Sequence, residues 1–182
     1  MILGAGSGGT MLANRMRKRL PSGWQMTVVD PEAIHLYQPG LLFLPFGARD
    51  EEKIQRSRRR TLASDVNWVR QTVDRVDPDT KTLAFEGGES LPYDVLVIAS
   101  GARTRPDETP GLEGDEWHKS IHDFYTLSGA RALRDALAKF EGGRLVLNVV
   151  EMPIKCPVAP MEFLFLADEY FTKKGIRDKV EL

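Results

Sequence analysis

Six residues near the amino terminus, Gly4-Ala5-Gly6-Ser7-Gly8-Gly9, constrain the fold of this chain more than any other stretch. They follow the apolar Met1-Ile2-Leu3 and precede a run in which Met11, Leu12, Met16 and Leu20 recur at helical spacing before Pro21 stops it. A backbone that passes from strand to helix with so few side chains turns tightly and leaves its N–H groups bare. Gly4, Gly6 and Gly9 match the pattern G-x-G-x-x-G: the first permits the turn, the second lets backbone approach a pyrophosphate, and the third lets the helix lie close on the strand. Ser7 and Gly8 fall at the helix start, where free N–H groups and the positive end of the dipole favour phosphate. Thr27-Val28-Val29-Asp30 reads as the next strand of a βαβ unit. Asp30 stands 30 − 9 = 21 residues after the last glycine, where a carboxylate can hold a ribose diol. Glycine pattern, strand, helix and acid together imply a dinucleotide site. No Arg directly follows Asp30, which disfavours a 2′-phosphate.

The chain has 182 residues, enough for one full domain and part of a second. Its 42% hydrophobic and 28% charged content permits a packed core and argues against disorder. With 25 Lys+Arg against 26 Asp+Glu the net charge is -1, so no global field draws it to nucleic acid, and none is expected as a partner. The single cysteine, Cys156, excludes an internal disulfide. Neither a secretory signal nor a membrane span is expected, since the longest apolar runs, Leu41 to Phe46 and Phe163 to Ala167, are far below ~20 residues. The basic run Gln55 to Arg60 reads as a solvated face.

Further along, Asp77-Pro78-Asp79 and Gly87-Gly88 separate β-rich runs, among them Val66 to Val73 and Thr82 to Phe85, which predicts an antiparallel meander. Val95-Leu96-Val97-Ile98-Ala99 is apolar throughout and reads as a parallel strand buried on both faces, ending at Ser100-Gly101. Arg103 to Gly114 reads as a linker. Leu127, Ala130, Leu133, Leu137 and Phe140 mark a helix ended by Gly142-Gly143, and Leu145 to Val150 a buried strand. Pro160 suits the first turn of a helix that faces inward through Phe163, Leu166, Ala167, Tyr170 and Phe171, with Phe165 also assigned to the core, and Gly175 as its stop. Lys179 to Leu182 opens a strand, so a second βαβ unit is expected to be cut off in its middle.

Three segments carry a family resemblance. Tyr93 to Ala102 (YDVLVIASGA) resembles the second flavin motif of flavoprotein reductases with two dinucleotide domains, which implies FAD and brings Ala99, Ser100 and Gly101 into its site. Glu151 to Pro160 (EMPIKCPVAP) is similar to the cysteine motif of the sulfide:quinone oxidoreductases. His35 to Leu41 (HLYQPGL) is similar to a segment that lies close to the flavin in that family, so Tyr37 and Pro39 are expected to shape the pocket wall. The resemblance spans nearly the whole chain and covers the amino-terminal half of such an enzyme. It implies an α/β architecture: a Rossmann-like FAD-binding domain with an antiparallel β-meander over residues 1–105, a linker and helix over 106–140, and the truncated start of a second dinucleotide-binding-like domain over 141–182. In a complete enzyme of this type sulfide attacks a cysteine disulfide, a persulfide forms, and two electrons pass through flavin to a quinone, with Cys156 as the sulfur-accepting member. The family also commonly carries a cysteine after the linker, and His118 to Tyr125 contains none. Membrane contact would come only through a carboxy-terminal part absent here, so the expected location is cytoplasmic, or peripheral on the membrane for a full-length form. A homo-oligomer is compatible with the sequence.

Elementary chemistry supports the role given to Cys156. A thiol just ahead of a helix N-terminus and beside Lys155 is expected to be richer in thiolate, the form that attacks sulfur or flavin. Most lone cysteines are instead small buried hydrophobes. The turn from Glu151 to Pro157 has no glycine bed for a second pyrophosphate, and its prolines remove N–H donors. That disfavours NADH and leaves a type II NADH:quinone oxidoreductase, or a binding module without turnover, as the alternatives. His35, His118 and His122 have no spacing of a metal or triad site, and no metal is expected.

Overall fold

The computed structural model describes residues 1–182. In chain order its elements are β1 (Ile2–Leu3), α1 (Ser7–Met16), β2 (Thr27–Val29), β3 (Ile34–Leu36), two short 3-10 segments (Gln38–Leu42 and Leu44–Phe46), α2 (Glu51–Ile54), β4 (Gln55–Ser57), α3 (Arg58–Thr61), β5 (Asn67–Val69), β6 (Val73–Asp77), β7 (Thr82–Phe85), β8 (Ser90–Pro92), β9 (Val97–Ile98), a 3-10 turn (Pro106–Glu108), α4 (Leu127–Lys139), β10 (Gly143–Arg144), α5 (Ala159–Lys174), a 3-10 turn (Arg177–Lys179) and β11 (Val180–Glu181). They form two compact units: Met1–Tyr37 with Gln55–Arg103, and Gln38–Ile54 with Thr104–Leu182. The segment 38–54, which the sequence reading kept with the first domain, therefore packs with the residues after 103, and 106–140 and 141–182 lie in one unit.

The first unit is built on a parallel sheet in the order β5-β2-β1-β9. Ile2 pairs with Val28 on one side and Val97 on the other, so the strand that opens the chain becomes the centre of the sheet. A centre with strands on either side is the Rossmann-like arrangement expected for two parallel strands joined through a helix. Ile2, Ala5, Ala13, Val28, Leu62 and Val66 form the core where α1 lies against this sheet. Val29, Leu83 and Phe85 form a second core beneath the three-stranded meander β6-β7-β8.

Two expectations for this unit change. The run Val66 to Val73 was placed with the meander, but Asn67–Val69 pairs parallel with β2 and only Val73 enters the antiparallel sheet. The reason is local: Val66 and Trp68 pack into the core beside α1, and the Trp68 indole N–H donates to the Asp30 carbonyl at 2.9 Å. The apolar run 95–99 was expected to be buried on both faces. Its regular part is only Val97–Ile98, on the sheet edge, with Val95 51% and Ile98 66% exposed. A strand with one neighbour buries only the residues that reach a core, here Leu96 and Ala99.

In the second unit α4 and α5 pack around Leu133, Leu137, Phe163, Ala167 and Phe171, joined by Leu42 from the 38–54 segment. Thr126 caps α4 by accepting the Gly129 N–H at 3.0 Å. Pro160 sits in the first turn of α5, and Gly175 ends it with φ 74, a left-handed stop that glycine adopts without strain. β10 and β11 run parallel on either side of α5 in sequence, so Gly143–Arg144, the helix and Val180–Glu181 make a short βαβ unit. Here too the sequence reading is corrected. Leu145 to Val150 is not a buried strand: pairing ends at Leu145, whose N–H donates to Glu181 O, and Val146, Val149 and Val150 are exposed. Phe165 is no part of the core, being 71% exposed on the opposite side of α5 from Phe163 and Phe171. No helix is long and apolar enough to cross a membrane.

Candidate functional site

The glycine turn leaves β1 at Leu3 and enters α1 at Ser7. Its glycines have three different reasons to be glycine. Gly4 has φ 95, and a Cβ there would sit 2.5 Å from the Ala99 carbonyl oxygen and 2.7 Å from the Ser100 Cα. Gly9 has an ordinary φ, but a Cβ would collide with the Gly4 carbonyl oxygen and press on the Ala99 methyl. These two residues bring turn, helix and the 99–100 backbone into contact. Gly6 differs from both, with φ -62 and nothing within 4 Å of where its Cβ would stand. Nothing inside the protein requires glycine at position 6, so the requirement points outward, to a group that approaches the backbone.

The helix start is equally open. Gly6 is the N-cap of α1, and no side chain caps it and no acid lies in the first turn. The first N–H groups of a helix have no partner within it. Here they belong to Gly6, Ser7, Gly8 and Gly9, a set with one small hydroxyl and otherwise no side chains. This arrangement fits the pyrophosphate of a dinucleotide such as FAD. Ala99, Ser100 and Gly101 follow β9 and lie beside the turn, Gly101 with φ 77. The site residues Gly4, Gly6, Ser7, Gly8, Gly9, Asp30, Ala99, Ser100 and Gly101 are thus brought together at the same end of one parallel sheet.

Asp30 follows β2 and is 8% exposed. Its carboxylate Oδ2 accepts the Ala5 N–H at 2.6 Å, and Oδ1 accepts the Glu32 N–H at 2.8 Å and the Arg58 Nη2–H at 3.0 Å. Asp30 is therefore a clasp between β2 and the glycine turn. Arg58 overturns the solvated reading of the basic run, since at 3% exposure it is a buried residue of α3. The sequence reading missed it because five neighbours of similar polarity concealed the one that turns inward. The cue is charge balance: a buried carboxylate requires a cation, and breaking such a pair costs on the order of 3–5 kcal/mol. His35 was noted only for its motif, yet its Nδ1 lies 3.2 Å from both Ala5 O and Arg58 Nη1.

Tyr37 ends the first unit's leading segment with an exposed ring, and Pro39 opens the second unit's 38–42 segment. Cys156 belongs to the second unit as well. Its thiol is free and exposed, so the buried-hydrophobe alternative does not hold. The residue takes φ 57, unusual for a side chain other than glycine, and its carbonyl accepts the Ala159 N–H at 3.0 Å where α5 begins. The loop around it is held by Tyr125, whose hydroxyl donates to Lys155 O at 2.8 Å, and by Lys155, whose ammonium donates to Gln38 Oε1. Burial pushes the Tyr125 hydroxyl pKa up, and the neighbouring Cys156 adds to it. Lys155 is thus directed to Gln38. His118 faces Asp123 at 3.4 Å, while His122 Nε2 lies 3.0 Å from Lys119 O.

Comparison with known proteins agrees with this geometry. The mitochondrial sulfide:quinone oxidoreductase of Mus musculus is 28% identical over 182 residues, which is 100% of this chain and 40% of that protein. The external NADH-ubiquinone oxidoreductase 2 of Saccharomyces cerevisiae is 30% identical over 134 residues, 68% of this chain and 24% of its own length. The crystal structure of the sulfide:quinone oxidoreductase from Aquifex aeolicus superposes with a TM-score of 0.77 at 23% identity, covering 98% of this chain and 41% of that one, and shows a shared fold. The chain thus spans about two-fifths of the sulfide:quinone oxidoreductases it resembles. The family model for pyridine nucleotide-disulphide oxidoreductases matches residues 1–147, and the chain belongs to that family.

Proposed function

We propose that this chain holds the ADP part of FAD in a flavoprotein that passes electrons from sulfide to a quinone, with Cys156 as the residue that accepts sulfur. The observation that carries the reading is Gly6: an N-cap with ordinary backbone angles, open space where its side chain would be, and an uncapped helix behind it. In this reading the N–H groups of Gly6 to Gly9 hold the pyrophosphate. Asp30 takes a ribose hydroxyl, Ala99 to Gly101 bound the site on the β9 side, and Tyr37, from the same unit, contributes to its wall. Bound FAD supplies a two-electron acceptor.

An exposed thiol ahead of a helix is accessible to a small sulfur nucleophile or its product. Attack of hydrosulfide on a disulfide leaves a persulfide on one sulfur and a thiolate on the other, so a second sulfur is needed. Cys156 is the only cysteine among the 182 residues, and that sulfur must come from outside them. The chain alone is therefore expected to turn over little.

The competing reading, an NADH:quinone oxidoreductase, is supported by the yeast similarity. The turn from 151 to 157 weighs against it, since it has no glycine and carries Pro153 and Pro157. Anaerobic mixing of the flavin-loaded, full-length protein with sulfide and separately with NADH decides between them. Sulfide should bleach the flavin and NADH should not; Cys156→Ser should lower sulfide-dependent quinone reduction on the order of 10²-fold or more with flavin content unchanged. Fast bleaching by NADH alone would replace this reading with the competing one.

A further inference from the structure

We propose that Arg58 is a positioning residue of the nucleotide site, which holds the Ala5 peptide and the Asp30 carboxylate in their binding arrangement before any ligand arrives. The proposal deepens the FAD reading and rests on it for the identity of the ligand, though not for the state of the turn.

The guanidinium is buried among protein acceptors. Nε donates to Glu32 O at 3.1 Å, Nη1 to Ala5 O and toward His35 Nδ1 at 3.2 Å, and Nη2 to Asp30 Oδ1 at 3.0 Å and Ile34 O at 3.2 Å. With its side chain only 4% exposed, Arg58 acts on the ligand through what it holds. Its partners are the end of β2, the chain entering β3, to which the Arg58 backbone N–H also donates at Ala33 O, and the glycine turn. Both polar groups of Ala5 are thereby fixed. Its N–H goes to Asp30, and its carbonyl accepts from Arg58 and from the Thr10 hydroxyl at 2.7 Å. The next N–H groups along the chain are those left unpaired at the start of α1.

A planar fork is required, because one group must reach Ala5 O and Asp30 Oδ1 together. A lysine carries the same charge on a single nitrogen and cannot span both. A turn that is already ordered loses less freedom when it binds, and affinity rises accordingly. With Arg58 absent, Asp30 would be left buried and charged beside Ala5, and the turn would open.

The test compares wild type, Arg58→Lys and Arg58→Met by amide hydrogen exchange without ligand and by FAD titration. Arg58→Lys should speed exchange of the Ala5 N–H at least 10-fold, leave the β6-β7-β8 amides unchanged, and weaken FAD binding at least 10-fold. Should Arg58→Met fail to fold, Arg58→Lys decides alone, since it keeps a cation beside Asp30. Unchanged Ala5 exchange overturns the proposal, as does equal loosening of the meander, which would mean a merely structural role. A loosened turn with undiminished FAD affinity also overturns it. If wild type takes up no FAD while Ala5 still loosens in the lysine variant, the positioning of the turn stands and the FAD reading falls.

Discussion

His122 is the side chain at which a local contact couples a proton to folding. Its Nε2 lies 3.0 Å from the Lys119 carbonyl, which requires the proton on that nitrogen, while Nδ1 is buried without a hydrogen-bond partner. A second proton would have to enter at Nδ1, where no acceptor waits. Burial therefore lowers the pKa below the ordinary 6.5, the neighbouring His118 lowers it further, and the Lys119 carbonyl and Asp123 only partly oppose this. Because the unfolded chain takes up this proton more readily than the folded one, the contribution is full above about pH 6.5 and is lost as pH falls through the folded value. His122→Gln, which retains an N–H donor and cannot be protonated, should flatten that part of the stability profile. Urea unfolding of both proteins from pH 7 to pH 5 checks this; parallel profiles would show that another group sets the slope. At the same scale, Gly4 and Gly9 were legible as glycines from their spacing, and Arg58 was not, because burial of one arginine in a basic run is decided by a carboxylate 28 residues away.

At the level of elements, α4 is held at both ends by contacts of different range. Thr126, its N-cap, accepts the Gly129 N–H within the first turn, a local contact. The other end is fixed by Lys174 of α5, whose ammonium donates to Leu137 O at 2.9 Å, Ala138 O at 2.7 Å and Phe140 O at 2.7 Å. One cation thus satisfies three carbonyls at the negative end of a helix to which it does not belong. Lys174→Met should destabilise the protein by about 1–2 kcal/mol, the range of a partly buried charge at a helix terminus. Chemical denaturation measures it, and a change within a few tenths would mean that water replaces the ammonium without loss. Helices were read well from spacing and stops, because Pro160, Gly175 and the apolar stripe act locally. Strands were read less well. The runs 95–99 and 145–150 are apolar in composition, but the first has a single strand neighbour and the second leaves the sheet at Leu145, and pairing is a property of the sheet and not of the run. Phe165 fails for a related reason: an aromatic residue on a core helix still has to fall on the inward stripe, and Phe163 and Phe171 already occupy it.

For the whole molecule, the two units carry different parts of the proposed chemistry. The first gathers Gly4, Gly6, Ser7, Gly8, Gly9, Asp30 and the 99–101 backbone, and the second carries Cys156 on an exposed loop held by Tyr125 and Lys155. The residues assigned to a dinucleotide from the glycine pattern come together because a G-x-G-x-x-G turn, a βαβ unit and a sheet end are one local structure. The choice of FAD and the assignments of Ala99, Ser100, Gly101, Tyr37, Pro39 and Cys156 rest on family resemblance, and no spacing rule could have grouped them. FAD titration of wild type against Gly6→Val asks whether the chain meets a dinucleotide through the open side of Gly6. The valine needs no space that the fold occupies, so thermal unfolding should shift little; loss of the favoured glycine N-cap costs about 1 kcal/mol. Gly9→Ala is the contrasting control, because its methyl meets the Gly4 carbonyl and should destabilise the fold by on the order of 3 kcal/mol. Wild type should bind FAD, and Gly6→Val should fold normally but fail to bind it. Undiminished FAD binding by well-folded Gly6→Val would contradict this.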